Sequence, residues 1–185
     1  IDTGYRHIDT AQLYKNEAEV GKGIAESSVP RKDLIIATKI WVDKMSPKKI
    51  HKSMKKSLKK LKLDYVDIIY LHWPSGEYDP NKTLAECSKI VDHGQAKYLG
   101  ISNFNIKQVK EATKIYDKPI IANQIESHPF LQQDRQYEYL TENNMYLVAY
   151  SPLARGKVFN NPTLESIAKK HNATISQICL AWEIN

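Results

Sequence analysis

The chain has 185 residues, a length that suits one domain. Hydrophobic residues make up 42% and charged residues 26%, the balance of an ordinary globular chain, and no apolar run approaches the ~20 residues of a membrane-spanning helix. The formal charge of +6 speaks to solubility and non-specific attraction and identifies no function. Cys87 and Cys179 lie far apart in no CxxC arrangement. That argues against a disulfide framework or a zinc site and for a reducing compartment, so a cytoplasmic location is expected. The chain opens on Ile1 with no signal-peptide pattern.

Short β-rich runs alternate with stretches of helical period. Residues 6–9 read as a first strand. Asn16 then caps a predicted helix, with Glu19 completing a capping box ahead of Val20 and Ile24. Residues 34–39 form a second strand. Ser46 and Pro47 make a favourable cap and first turn, and Ile50, Met54, Leu58 and Leu61 follow as one apolar stripe. Residues 66–72 and 98–101 are the next strands. Asn105 opens a helix through Ile106 and Val109, and residues 120–124 and 146–150 complete the strands. Asn161-Pro162 opens another helix, and Thr174 with Gln177 opens the last, through Ile178 and Trp182.

Strands alternating with helices of this size predict βαβ units and a parallel sheet. A doubly wound sheet and a broken barrel look alike at this level. No GxGxxG or GxxxxGK[ST] follows any strand, which weakens dinucleotide-fold and P-loop readings.

The polar residues fall at the predicted strand ends: Asp9, Lys39, His72, then Ser102 and Asn103, Gln124, and Tyr150 with Ser151. In a parallel barrel these ends share one rim, where active sites sit. Asp9 and Lys39, on neighbouring strands, can pair, as buried charges must. Tyr14 lies five residues beyond Asp9, above the same rim. Reducing a carbonyl needs a hydride at carbon and a proton at oxygen. A phenol can give that proton, but its ordinary pKa of about 10 is high for the task. A nearby ammonium lowers it. Lys39, held by Asp9, can serve Tyr14 in this way, and His72 can donate to the substrate oxygen.

The segments GYRHIDTAQLYKNEAEVG (4–21), TKIW (38–41), LHWP (71–74), GISNF (100–104), NQIESHP (123–129) and AYSPL (149–153) resemble the aldo-keto reductases, in the right order along essentially the whole chain. The short loop after His72 and AESSVPRKDLIIATKIW (25–41) are most similar to the prokaryotic short-loop members that reduce methylglyoxal and 2,5-diketo-D-gluconate. The resemblance implies an α/β fold, an incomplete (β/α)8 TIM barrel with about strands two to seven, forming one partial domain over residues 1–185. It implies an oxidoreductase that reduces aldehydes and ketones, small dicarbonyls or keto-sugars, with NADPH. NADH is the alternative, because the family's 2′-phosphate segment falls beyond Asn185. It assigns Asp9, Tyr14, Lys39 and His72 as a catalytic tetrad with Tyr14 as general acid. Ser102, Asn103 and Gln124 match residues that hold the nicotinamide carboxamide, Tyr150 the ring stacked on nicotinamide, and Ser151 and Leu153 residues near the pyrophosphate. Trp41 and Trp73 are expected at the substrate pocket. The first and eighth strands are expected to be missing from this chain, leaving two unpaired sheet edges and a poorly soluble, inactive product if it is expressed alone.

Several features have plainer readings. The run from Lys48 to Lys62 carries eight lysines around its apolar stripe and invites a membrane, nucleic-acid or calmodulin-target reading. An outer helix that packs its stripe and solvates the rest is preferred. His7, His51, His93 and His171 show no metal-ligand spacing among themselves, so no metal is expected. The expected partner is a small carbonyl compound, with no nucleic acid and no membrane, and a monomer when complete. The alternative function is a cofactor-binding barrel of the same family that regulates a partner without turnover.

Overall fold

A computed structural model describes residues 1–184. The chain divides into two compact units, residues 1–122 and the remainder. The strands are β1 (His7–Asp9), β2 (Ile35–Ile40), β3 (Val66–Leu71), β4 (Ala96–Ser102), β5 (Ile120–Glu126) and β6 (Tyr146–Tyr150), and strand order follows chain order. The helices are α1 (Glu17–Glu26), α2 (Pro47–Leu61), α3 (Pro80–Asp92), α4 (Ile106–Ile115), α5 (Asp134–Glu142), α6 (Pro162–Lys170) and α7 (Ile175–Ile184).

In the first unit β1 to β4 pair side by side, all parallel. Every residue of β3 is buried, as its Val/Ile-rich sequence requires of a strand covered on both faces. Register places Asp9 opposite Ala37, Lys39 opposite Tyr70, and Tyr70 opposite Gly100. Gly100 is required there, because a Cβ would lie 2.3 Å from the fully buried Tyr70 ring. One end of this sheet is tied by Asp67 on β3. Its carboxylate accepts from the Ile36 N–H at 2.9 Å and pairs with Arg31 and Lys97, each at 2.7 Å. Burial pushes this carboxyl up, but the Ile36 N–H, Lys97 and Arg31 together hold it below its ordinary range.

The second helix follows its sequence pattern. Ile50, Met54, Leu58 and Leu61 are all buried, and Lys62 closes the helix in the left-handed conformation at φ 56°. A Cβ on Gly21 would meet the Leu61 carbonyl oxygen at 2.5 Å, so glycine lets α1 lie against the end of α2. Leu58→Asp is expected to destabilise the fold by about 3 kcal/mol or more, because it removes an apolar anchor and buries a charge. Urea unfolding would measure this, and an unchanged midpoint would contradict the packing.

Local boundaries differ from the sequence reading in specific ways. Lys39 is the penultimate residue of β2, and His72 lies just past β3. The capping box expected of Asn16 and Glu19 does not form. The Asn16 side chain instead accepts from the Thr10 hydroxyl at 2.7 Å, a bond to a buried group that outcompetes the helix end. Ser46 precedes α2 without a side-chain cap. Asn105 makes a full capping box with Gln108, Asn161 accepts from the Leu164 N–H, and Thr174 and Gln177 cap α7 reciprocally.

The second unit holds the rest of β5, then α5, β6, α6 and α7. Its core gathers Ala154, Val158, Leu164 and Cys179, with Leu153, Ile175 and Ile178 against them. The segment after β6 is conformationally unusual: Ser151, Ala154, Arg155 and Gly156 all have positive φ. Non-glycine residues adopt this region at a cost and concentrate where function shapes the backbone.

Candidate active site

The site begins with a lysine whose charge is kept from water and must find a partner inside the fold. Lys39 points inward from β2, and its side chain is fully buried. Its ammonium bonds to Asp9 on the neighbouring strand and donates to the Thr10 carbonyl at 3.0 Å. Burial pushes the Lys39 ammonium below its usual range, and the Asp9 carboxylate opposes that push.

Tyr14 closes a single 3-10 turn, Gln12–Tyr14, directly after this pair. Lys15, at φ 58°, ends the turn and leads into α1. The turn holds the Tyr14 ring, half exposed, with its centroid 5.0 Å from the Lys39 ammonium. The edge of the same ring meets His72, with centroids 5.8 Å apart and planes at 87°. His72 also meets Trp41 edge-on at 5.0 Å. The structure thus brings Asp9, Tyr14, Lys39, His72 and Trp41 together. Trp73, next in chain after His72, is 41% exposed.

His72 is held through its backbone. Its N–H donates to the Ile40 carbonyl at 3.2 Å, and its carbonyl accepts from the Asn103 side chain at 2.9 Å. The imidazole is buried, and its Nδ1 has no hydrogen-bond partner among the described residues. Burial and the Lys39 charge push its pKa down to about 4, with Asp9 acting the other way. The ring is therefore neutral near pH 7 and keeps one N–H to donate.

Ser102 ends β4, and its side chain is buried. Asn103 takes the left-handed conformation at φ 64°, which asparagine tolerates better than most residues. Its amide also donates to the Ser102 hydroxyl at 3.0 Å. Gln124 is buried within β5, Tyr150 ends β6 half-buried, and Ser151 and Leu153 lie in the positive-φ segment that follows. These four belong to the second unit.

Two residues of the surroundings escaped the sequence reading. Gln12 accepts from the Trp41 N–H at 3.0 Å and donates to the Ser53 and Ser57 hydroxyls of α2, at 2.6 and 3.0 Å. It fastens the tyrosine-bearing turn to both. Glu17 is buried, accepting from the Thr38 hydroxyl at 2.9 Å and from Lys60 at 3.2 Å. Only the TAQLY context marked Gln12, and its partners lie 29 to 45 residues away. Gln12→Ala should lower kcat for any reaction using Tyr14 about tenfold with a small loss of stability. Gln12→Glu, which keeps the acceptor for Trp41, should recover part of it. Steady-state kinetics on the pair would show this, and an unchanged kcat in Gln12→Ala would make the tie irrelevant to the site.

Among the described residues, no cluster of His, Cys, Asp and Glu is suited to hold a metal ion, and no helix is long and apolar enough to cross a membrane. A model of the Aldo/keto reductase family matches residues 1–185. The chain is 41% identical to methylglyoxal reductase DkgB of Escherichia coli O157:H7 over 185 residues, covering 98% of this chain and 69% of that protein. It is 38% identical to the glyoxal reductase of Bacillus subtilis (strain 168), covering 100% of this chain and 66% of that protein. The crystal structure of MGS-M4, an aldo-keto reductase enzyme from a Medee basin deep-sea metagenome library, matches with a TM-score of 0.95 and 37% identity, over 99% of this chain and 68% of that one. The chain thus spans about two thirds of the length of these three relatives, between 66% and 69%. Its parallel strands and intervening helices are part of a (β/α)8 barrel, an incomplete one. The chain belongs to the aldo/keto reductase family of oxidoreductases.

Proposed function

We propose that this chain is the greater part of a monomeric, cytoplasmic NADPH-dependent reductase that converts the carbonyl of a small aldehyde or ketone to an alcohol. The observation that carries this is the placement of Tyr14. Its ring lies 5.0 Å from a buried ammonium and edge-on to His72. A phenol so placed gives up its proton more readily, because the phenolate left behind faces a positive charge. In this reading Tyr14 protonates the carbonyl oxygen, Lys39 stabilises the phenolate, and Asp9 holds Lys39 in place and charged. Neutral His72 donates a hydrogen bond that orients the carbonyl.

A bound nicotinamide cofactor would supply the hydride. The residues proposed to hold it fit its carboxamide, which both donates and accepts. Ser102, Asn103 and Gln124 carry hydroxyl and amide groups of the same dual kind, and Ser102 and Gln124 are buried at 1% and 5% exposure. Tyr150 would offer a flat face to the nicotinamide ring, and Ser151 and Leu153 would lie near the pyrophosphate. Trp41, packed on His72, and Trp73 would shape the substrate pocket. The names of these relatives favour small dicarbonyls such as methylglyoxal as substrates, and the name of a similar crystal structure, a putative 2,5-diketo-D-gluconic acid reductase B, puts keto-sugars second.

The test is turnover by the full-length protein. NADPH absorbance should fall on adding methylglyoxal, with one cofactor consumed per hydroxyl product formed. Cofactor binding without oxidation, across methylglyoxal, glyoxal and 2,5-diketo-D-gluconate, would contradict the proposal.

The neutrality of His72 gives a pH prediction. Its folded pKa, about 4, lies below the ordinary value of 6.5. The unfolded chain therefore binds more protons at this residue in between. Its contribution to stability is complete above pH 6.5 and is lost as the pH falls through 4. NMR titration should show the His72 ring resonances unmoved down to pH 5. A midpoint near 6.5 would mean that burial and the Lys39 charge do not depress the imidazole, and would contradict the prediction.

A further inference from the structure

We propose that the lysine-lined groove along α2 is a binding site for a small, multiply charged oxyanion of the phosphate class. The groove has a volume of about 510 Å3, and its rim carries Lys48, Lys52 and Lys56. These recur every four residues, so they stand on one face of the helix about 6 Å apart per step. Like charges at this spacing repel and destabilise the helix that bears them. The neighbouring lysines are neutralised: Lys44 by Asp43, Lys49 by Glu77 and Lys60 by Glu17. Lys48, Lys52 and Lys56 have no acidic partner among the described residues.

The floor of the groove is also built for an acceptor. The hydroxyl oxygens of Ser53 and Ser57 both accept from the Gln12 amide. Each hydroxyl hydrogen therefore remains to be donated, and neither bonds to an acceptor within the described residues. The one carboxylate in the groove, Glu17, has both oxygens engaged, by Thr38 and Lys60. Donors are spare and acceptors are taken, which is the complement of an anion rich in oxygen. The concavity selects a small ligand, since a flat bilayer would touch the lysines without reaching the serines. The proposal does not rest on the reduction proposed above, and its test uses no turnover.

The measurement is isothermal titration calorimetry of sodium tripolyphosphate into the full-length protein at fixed ionic strength. Lys48→Gln/Lys52→Gln/Lys56→Gln should weaken binding at least tenfold. Lys55→Gln/Lys59→Gln/Lys62→Gln removes the same charge from the same helix and its C-terminal cap, outside the groove, and should weaken it less than twofold. Equal losses in the two variants would show diffuse charge attraction and overturn the site, as would absence of wild-type binding. Binding only of a single-stranded oligonucleotide or of phosphatidylglycerol vesicles would overturn it in favour of a macromolecular surface.

Discussion

Lys39→Met is expected to cut carbonyl reduction about a hundredfold or more while leaving cofactor binding intact. Methionine fills much of the same buried space but carries no charge. Tyr14 then loses the ammonium 5.0 Å from its ring, and with it the positive charge proposed to favour its phenolate. The loss is a fraction of the 10²–10⁴-fold that a positioned general acid contributes. Asp9 also loses the Lys39 ammonium. Its side chain keeps 29% exposure, so water can solvate part of the carboxylate. The stability cost should then fall below the roughly 3–5 kcal/mol of breaking a fully buried pair. The pH–rate profile separates chemistry from scaffolding. The wild type should show a group that titrates out of the profile in the variant. A profile unchanged in shape, with activity lowered only in proportion to folded protein, would make Lys39 structural.

Tyr14→Phe should lower turnover by about 10²–10⁴-fold, the full contribution of a general acid. Phenylalanine keeps the ring that packs edge-on to His72 and lies near Lys39, and it deletes only the hydroxyl. With Tyr14 half exposed, the substitution should change stability by well under 1 kcal/mol. Cofactor affinity, read by fluorescence quenching, should hold within about twofold. Activity within a few-fold of wild type would remove Tyr14 from its proposed role and leave His72 as the remaining donor.

The sheet was legible because parallel strands buried on both faces must be apolar throughout, and VDIIYL in β3 carries that pattern with a single acidic interruption. That interruption, Asp67, has meaning only in three dimensions, since Arg31, Lys97 and the Ile36 N–H reach it from other elements. The candidate site was marked in the sequence by charged or polar residues ending apolar runs. Such residues cannot be left buried without partners. Its supports were not marked. Gln12 and Glu17 look like ordinary polar residues in a turn and at a helix start, and nothing local says that either is held by α2. The expected Asn16 capping box failed for the same reason: Thr10 competes for the side chain, and its proximity follows from the turn that carries Tyr14.

The central claim is that hydride reaches a carbonyl carbon while Tyr14 protonates its oxygen. The direct test supplies the full-length protein with methylglyoxal and NADPH carrying deuterium at the transferable position, and reads the product by NMR. The account predicts an alcohol with deuterium on the new carbinol carbon, one per cofactor oxidised, formed by the wild type and lost with Tyr14→Phe. An alcohol without deuterium, or cofactor bound but never oxidised, would contradict it.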